Sequence, residues 1–208
     1  MTDTTDSQLI YLLRHGRTHF NAEGRLRGRA DPVLDDAGRR DVGRSAAALA
    51  GTGAVGVVTS PLSRAAQTSA SVEGHLHVHQ IVDQRLIDRD YGPQTGLPAD
   101  DVVAQWGSLD DAPGVEPAAD LLARARQGLE AAADWFSPDP LIVVTHDAVI
   151  RALLGWIAPG VRIDAPTASW QVLELRDGVW TLLRADCTAD RPDGADLALR
   201  RDSARRTD

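Results

Sequence analysis

The run PLIVVTH, residues 140–146, constrains this chain most. It is the most strand-like stretch in the sequence, and its apolar residues are consecutive rather than alternating. A strand with one wet face alternates apolar and polar residues, whereas a strand covered on both faces reads as an unbroken apolar run. Strands of the second kind belong to parallel sheets with helices packed on either side. QLIYLLR (8–14) has the same character, and AVGVVTS (54–60) and LHVHQIV (76–82) read as two further strands.

Helical patterns fill the intervals. After Leu34 and the acidic pair Asp35/Asp36, the spacing of Val42, Ala46 and Leu49 predicts a helix that stops at Gly51. Pro61 is read as the first turn of the next helix, PLSRAAQTSASVEG, where its missing N–H costs nothing. A short helix is expected in ADDVVAQWGSL, and a long one in PAADLLARARQGLEAAADWF, with Leu121, Leu122, Ala125, Leu129, Ala132 and Phe136 on one face. AVIRALLGWI follows the PLIVVTH strand as a helix. WQVLELRDGVWTLLRA reads as a hairpin turning at Asp177-Gly178. The order predicts an α/β fold, a three-layer α/β/α sandwich on a mostly parallel central sheet. One domain is expected over residues 1–187. Residues 188–208, rich in Arg and Asp, read as a poorly ordered tail.

Composition narrows the function. Net charge is -8, which disfavours generic nucleic-acid binding, and the hydrophobic fraction of 43% is ample for a core. Every basic residue other than histidine is arginine, the side chain whose planar fork suits carboxylates and phosphates. The single Cys187 leaves no disulfide framework or cysteine-based zinc site within one chain. No signal peptide or membrane-length apolar run is present, so a cytoplasmic location is the default expectation, with no membrane partner. Two motifs are set aside. GTGAVG (51–56) has dinucleotide-type glycine spacing but stands between a helix and a strand, the reverse of what that motif needs, and is read as a helix stop. HLHVH would align His75, His77 and His79 on one face if it were all strand, yet no carboxylate or cysteine pairs with them, so no metal is expected.

The chemistry concentrates at strand ends. Arg14 and His15 close the first strand, Ser60 and Arg64 follow the second, and Thr145, His146 and Asp147 follow the PLIVVTH run. In a parallel sheet ligands bind beyond these carboxyl ends. Either histidine alone reads as a hydrogen-bonded structural group. Together with two arginines at one sheet edge, they suggest a nucleophilic imidazole, kept neutral by its neighbours, beside a phosphate cradle.

These segments resemble the histidine phosphatase superfamily (phosphoglycerate mutase-like, branch 1). Arg14-His15-Gly16 matches its R-H-G motif. Asn21, the GRLRG turn, Asp31, Leu34 and Gly38 fit the continuation. TSPLSRAAQT, RLIDRDYGPQTGL, GVEP and VVTHDAVIRALLG resemble the later segments in the family's order, over roughly residues 8–185. The resemblance implies a metal- and cofactor-independent phosphatase acting on small phosphomonoesters. His15 would be the phosphate acceptor, and Arg14, Arg64 and His146 would hold the phosphoryl oxygens with help from Asn21. The family's usual glutamate proton donor falls on Asp88, one methylene shorter; Asp147 is the alternative general acid, or else a helix N-cap. Arg27 stands where the family carries an uncharged residue, and is expected to favour substrates with a second anionic group. Arg17, Arg25 and Arg29 read as solvated loop cations, and Trp106 and Trp170 as core, with Tyr91 a candidate pocket residue. A phosphoglycerate mutase-type phosphotransferase and a non-catalytic phosphate-binding protein are the competing readings, and a homodimer is compatible with all three.

Overall fold

In the computed structural model, which describes residues 7–194, six strands form one sheet in the order β3-β2-β4-β1-β5-β6. They are β1 (Ser7–Arg14), β2 (Gly56–Thr59), β3 (His79–Val82), β4 (Leu141–Thr145), β5 (Trp170–Arg176) and β6 (Val179–Cys187). The first four run parallel, while β5 lies antiparallel to β1 and β6 antiparallel to β5. The helices are α1 (His19–Ala22), α2 (Asp36–Leu49), α3 (Ser63–Leu76), α4 (Ala99–Trp106), α5 (Ala118–Phe136) and α6 (Asp147–Ile157).

The unbroken apolar runs are explained by covering on both faces. Ile10 and Leu12 of β1, with Leu141 and Val143 of β4, pack against Leu121, Ala125 and Leu129 of α5 and Ile150 and Leu153 of α6. Leu13, Ile142 and Val144 point the other way, onto Ala46 and Leu49 of α2 and Ala65 and Val72 of α3. The period-2 geometry of a strand thus divides each run between two cores, and the layers are α/β/α as expected.

Local readings differ in four places. Helix α3 continues through Leu76 and ends at His77, which caps it in the left-handed conformation (φ 55°). His75 is therefore helical and only His79 lies on β3, so the three histidines do not share a strand face. Leu62, not Pro61, is the N-cap of α3, so the proline stands just outside the helix. Trp170 is buried in the core but Trp106 is 39% exposed; it sits on the last turn of α4, a short helix with a single buried residue, Val102. Of the stretch read as a tail, residues 188–194 form a turn in which Thr188 and Arg191 exchange backbone hydrogen bonds; the remainder, 195–208, lies outside the described residues.

Two glycines set how closely α2 approaches the end of β1. A Cβ on Gly16 would meet Val42 and the Gly38 carbonyl, and one on Gly38 would overlap the backbone of Arg17. The start of α2, capped by the Asp35 carboxylate on the Gly38 N–H at 2.7 Å, thus rests directly on the residues after His15. Gly38→Ala is expected to cost about 1–3 kcal/mol of stability through overpacking, measurable as a lowered denaturation midpoint with an unchanged m-value.

Candidate active site

The parallel register of β1 with β4 pairs Arg14 with Thr145. His15 and His146 therefore leave the sheet side by side, and the His15 N–H donates to the Thr145 carbonyl at 3.0 Å. Their rings lie 5.1 Å apart, centre to centre, and both are fully buried. The His15 Nδ1 lies 2.7 Å from the Gly16 carbonyl oxygen. A carbonyl only accepts, so Nδ1 carries the proton and the lone pair is on Nε2. That Nε2 has no hydrogen-bond partner within the described residues. The His146 Nε2 meets Ser60 Oγ at 2.7 Å, and its Nδ1 lies 3.6 Å from Asp88 Oδ2.

Three arginines surround the pair. Arg14 donates to the Ala165 carbonyl at 2.6 Å. Arg64 is wholly buried and donates to the carbonyls of Gly28 and Ala30 and to Asp88 Oδ2, each at 2.8 Å. Gly28 can present its carbonyl there because it adopts a positive φ of 50°, a conformation glycine takes freely. Arg27 donates to Asp147 Oδ1 at 2.8 Å, and Arg14 stands 3.5 Å from Asp147 Oδ2. Among the described residues, seven buried side-chain nitrogens or oxygens lack a partner, and five of them belong to Arg14, His15, Arg27, Arg64 and His146. Buried polar groups left unpaired are costly and rare, and three of the five are guanidinium N–H donors, so their concentration here suits a ligand rich in acceptors.

The two carboxylates are driven apart. Burial pushes the Asp88 carboxyl above its ordinary range, and Arg64 only partly opposes this. Asp147 is opposed by burial too, but the Arg14 and Arg27 guanidiniums hold it below the usual carboxylate range. It occupies the first turn of α6, whose N-cap is His146, so the N-cap reading of Asp147 is corrected. Burial comes first in lowering both histidines well below the usual imidazole value; His146 and Arg64 add to the effect on His15, and Arg64 and Arg27 to that on His146.

Asn21 takes a different place. Its side-chain oxygen accepts from the Thr18 N–H and hydroxyl, both at 3.0 Å, closing a capping box on α1. Among the described residues it makes no hydrogen bond to the histidines or arginines of the cluster. Arg17, Arg25 and Arg29 pair with Asp35, Glu23 and Asp90 and are well exposed. Tyr91 is buried against Gly28, in a small core with Leu26 and Val102 that carries the covering loops. Sequence reasoning missed Arg124. From α5 it donates to the carbonyls of Arg85, Ile87 and Asp88 and is held by Glu116, fixing the segment that presents Asp88. An arginine nearly two turns into a helix whose other face is apolar, eight residues after a glutamate, was the available signal.

The family model of the histidine phosphatase superfamily (branch 1) matches residues 10–188, and the chain belongs to that family. A protein described as bifunctional in Mycobacterium tuberculosis is 33% identical over 157 residues, 70% of this chain but only 43% of that protein, so the chain spans under half its length. A glucosyl-3-phosphoglycerate phosphatase of Mycolicibacterium vanbaalenii is 26% identical over 208 residues, covering 92% of this chain and 90% of that one. Among solved structures, one titled mycobacterial hydrolase 1 superposes with a TM-score of 0.78 at 25% identity, over 88% of this chain and 99% of its own.

The two neutral histidines make stability sensitive to acid. Their folded-state proton affinity is lowered, so below about pH 6.5 the unfolded chain binds protons that the folded chain refuses. Stability should therefore fall as pH drops through that value. His15→Asn should make the fall shallower, by up to about 1.4 kcal/mol per pH unit, as read from urea midpoints between pH 7 and about pH 5.

Proposed function

We propose that this protein hydrolyses small phosphomonoesters through a phosphohistidine on His15, without a metal. The observation that carries the reading is the His15 imidazole: its proton is committed to the Gly16 carbonyl, and its unpartnered Nε2 stands among three guanidiniums. Phosphoryl transfer asks for positioning and charge stabilisation above all. In the first step His15 Nε2 forms a bond to phosphorus as the ester P–O bond breaks. Arg14, Arg64 and His146 stabilise the phosphoryl oxygens, and Asp88 gives its proton to the leaving oxygen. In the second step water attacks phosphorus, the Asp88 carboxylate takes a proton from it, and the P–N bond breaks. Asn21, by capping α1, supports the loop that follows His15, and Arg27 borders the substrate beside Arg14.

Asp88 suits the donor role better than Asp147. Its carboxyl keeps a proton to higher pH than usual, while Asp147 is held ionised. It also lies beside His146 and Arg64, within the cradle.

Phosphate release from p-nitrophenyl phosphate should persist with chelator present, and His15→Ala should reduce it at least about 10³-fold. Persistence of full activity in that variant would exclude the phosphohistidine. Asp88→Asn should lower turnover of an alkyl phosphate by about 10²–10⁴-fold, far more than Asp147→Asn does. It should matter much less for p-nitrophenyl phosphate, whose leaving group needs little protonation. The opposite ranking of the two aspartates would transfer the donor role to Asp147. In the pH profile of kcat/KM, activity should fall as pH rises through the elevated Asp88 value, and the acid limb should lie below about pH 6.5 because His15 stays neutral there.

A further inference from the structure

The site holds two arginine–aspartate pairs. The inner pair, Arg64 with Asp88, is completely buried, with side chains 0% and 1% exposed. The outer pair, Arg27 with Asp147, joins residues 120 positions apart, and its side chains are 11% and 23% exposed. Asp147 is the one anion bonded to Arg27 among the described residues; the only other hydrogen bond of that guanidinium is a long one, 3.4 Å, to the Arg25 carbonyl. The second oxygen of Asp147 faces Arg14 at 3.5 Å. A single carboxylate thus stands between the phosphate cradle and the cation at its edge.

We infer that the Arg27–Asp147 pair is a specificity filter, in which Asp147 is a built-in counter-anion that keeps Arg27 from recruiting a second anionic group on the substrate. The inference rests on the phosphomonoester reading above and reverses what the sequence suggested for Arg27. A second carboxylate or phosphate on the leaving group would have to displace a carboxylate tethered within bonding distance, which competes at high effective concentration. If it did not displace Asp147, it would approach a like charge, and such repulsion is how sites reject a competitor. A hydroxyl suffers neither penalty, and it can donate to the acceptor positions that remain on the partly exposed Asp147 carboxylate. The substrates favoured are therefore monoesters of neutral polyols rather than of hydroxy acids or of a second phosphate ester.

Glycerol 3-phosphate and 3-phosphoglycerate test this directly, since they differ by a hydroxymethyl group against a carboxylate. The wild type should have the higher kcat/KM for glycerol 3-phosphate. Asp147→Asn, which frees Arg27, should move the ratio toward 3-phosphoglycerate by at least about tenfold, the scale of one charge-assisted hydrogen bond gained. Adding Arg27→Gln to that variant should reverse the shift. Asp147→Ser, which keeps a residue tolerated at a helix start, carries the same test if the Asn variant does not fold. A wild type that prefers 3-phosphoglycerate, or a ratio indifferent to residue 147, overturns the filter. Calorimetric binding of the two ligands to His15→Ala protein reads the same ratio without turnover. Binding in the expected order by that variant, with a wild type that releases phosphate from neither compound nor from p-nitrophenyl phosphate, would defeat the phosphatase reading and leave the filter standing; hydrolysis by the wild type with an unmoved ratio would do the reverse.

Discussion

Arg64 is wholly buried, and the site is organised by what keeps its charge tolerable there. A guanidinium taken out of water is costly unless its donors are met. Three of its N–H groups go to the Gly28 and Ala30 carbonyls and to Asp88. Each contact fixes something else. The carbonyls bring the 24–30 turn down over the sheet, and that turn pairs with the 96–99 segment through hydrogen bonds of Leu26 with Leu97 and Gly96. The carboxylate comes from the opposite side of the site, where Thr145 holds the Leu86 carbonyl at 2.8 Å and Arg124 holds those of residues 85, 87 and 88. One buried cation therefore ties the second strand, the covering turn and the acid-bearing loop together.

This explains why the polar interior does not simply destabilise the protein. Its polar groups are not scattered: the Asp88 carboxyl lies against Arg64, and the Asp147 carboxylate stands between Arg27 and Arg14. Among the described residues, most of the buried polar atoms left without a partner belong to Arg14, His15, Arg27, Arg64 and His146.

The fold was legible because its signals are local. Consecutive apolar residues in β1 and β4 announced coverage on both faces, and the positions of His15 and His146 after those runs placed them together. What sequence reading lost depended on backbone conformation or on distant partners. His77 ends α3 in a left-handed conformation that no apolar pattern encodes, and the third strand starts three residues later than expected as a result. Asp147 looked like a cap because helix-starting aspartates commonly are; its actual partners, Arg14 and Arg27, are more than a hundred residues away. Arg124 carried only a faint signal in sequence, its spacing from Glu116, and the meeting of α5 with the 85–88 segment gives it its task.

The hydrogen bond from His15 Nδ1 to the Gly16 carbonyl has a consequence for the proton inventory of the interior. On the proposed reaction, phosphorylation at Nε2 turns the ring into a cation that still bears its Nδ1 proton, so the same donor faces the same carbonyl before, during and after the covalent stage. No tautomer has to exchange, and no proton has to find a way out of a fully enclosed ring. The only proton that travels is the one exchanged between Asp88 and the oxygen leaving or entering at phosphorus, and the nucleophile returns to its starting state simply by losing the phosphoryl group.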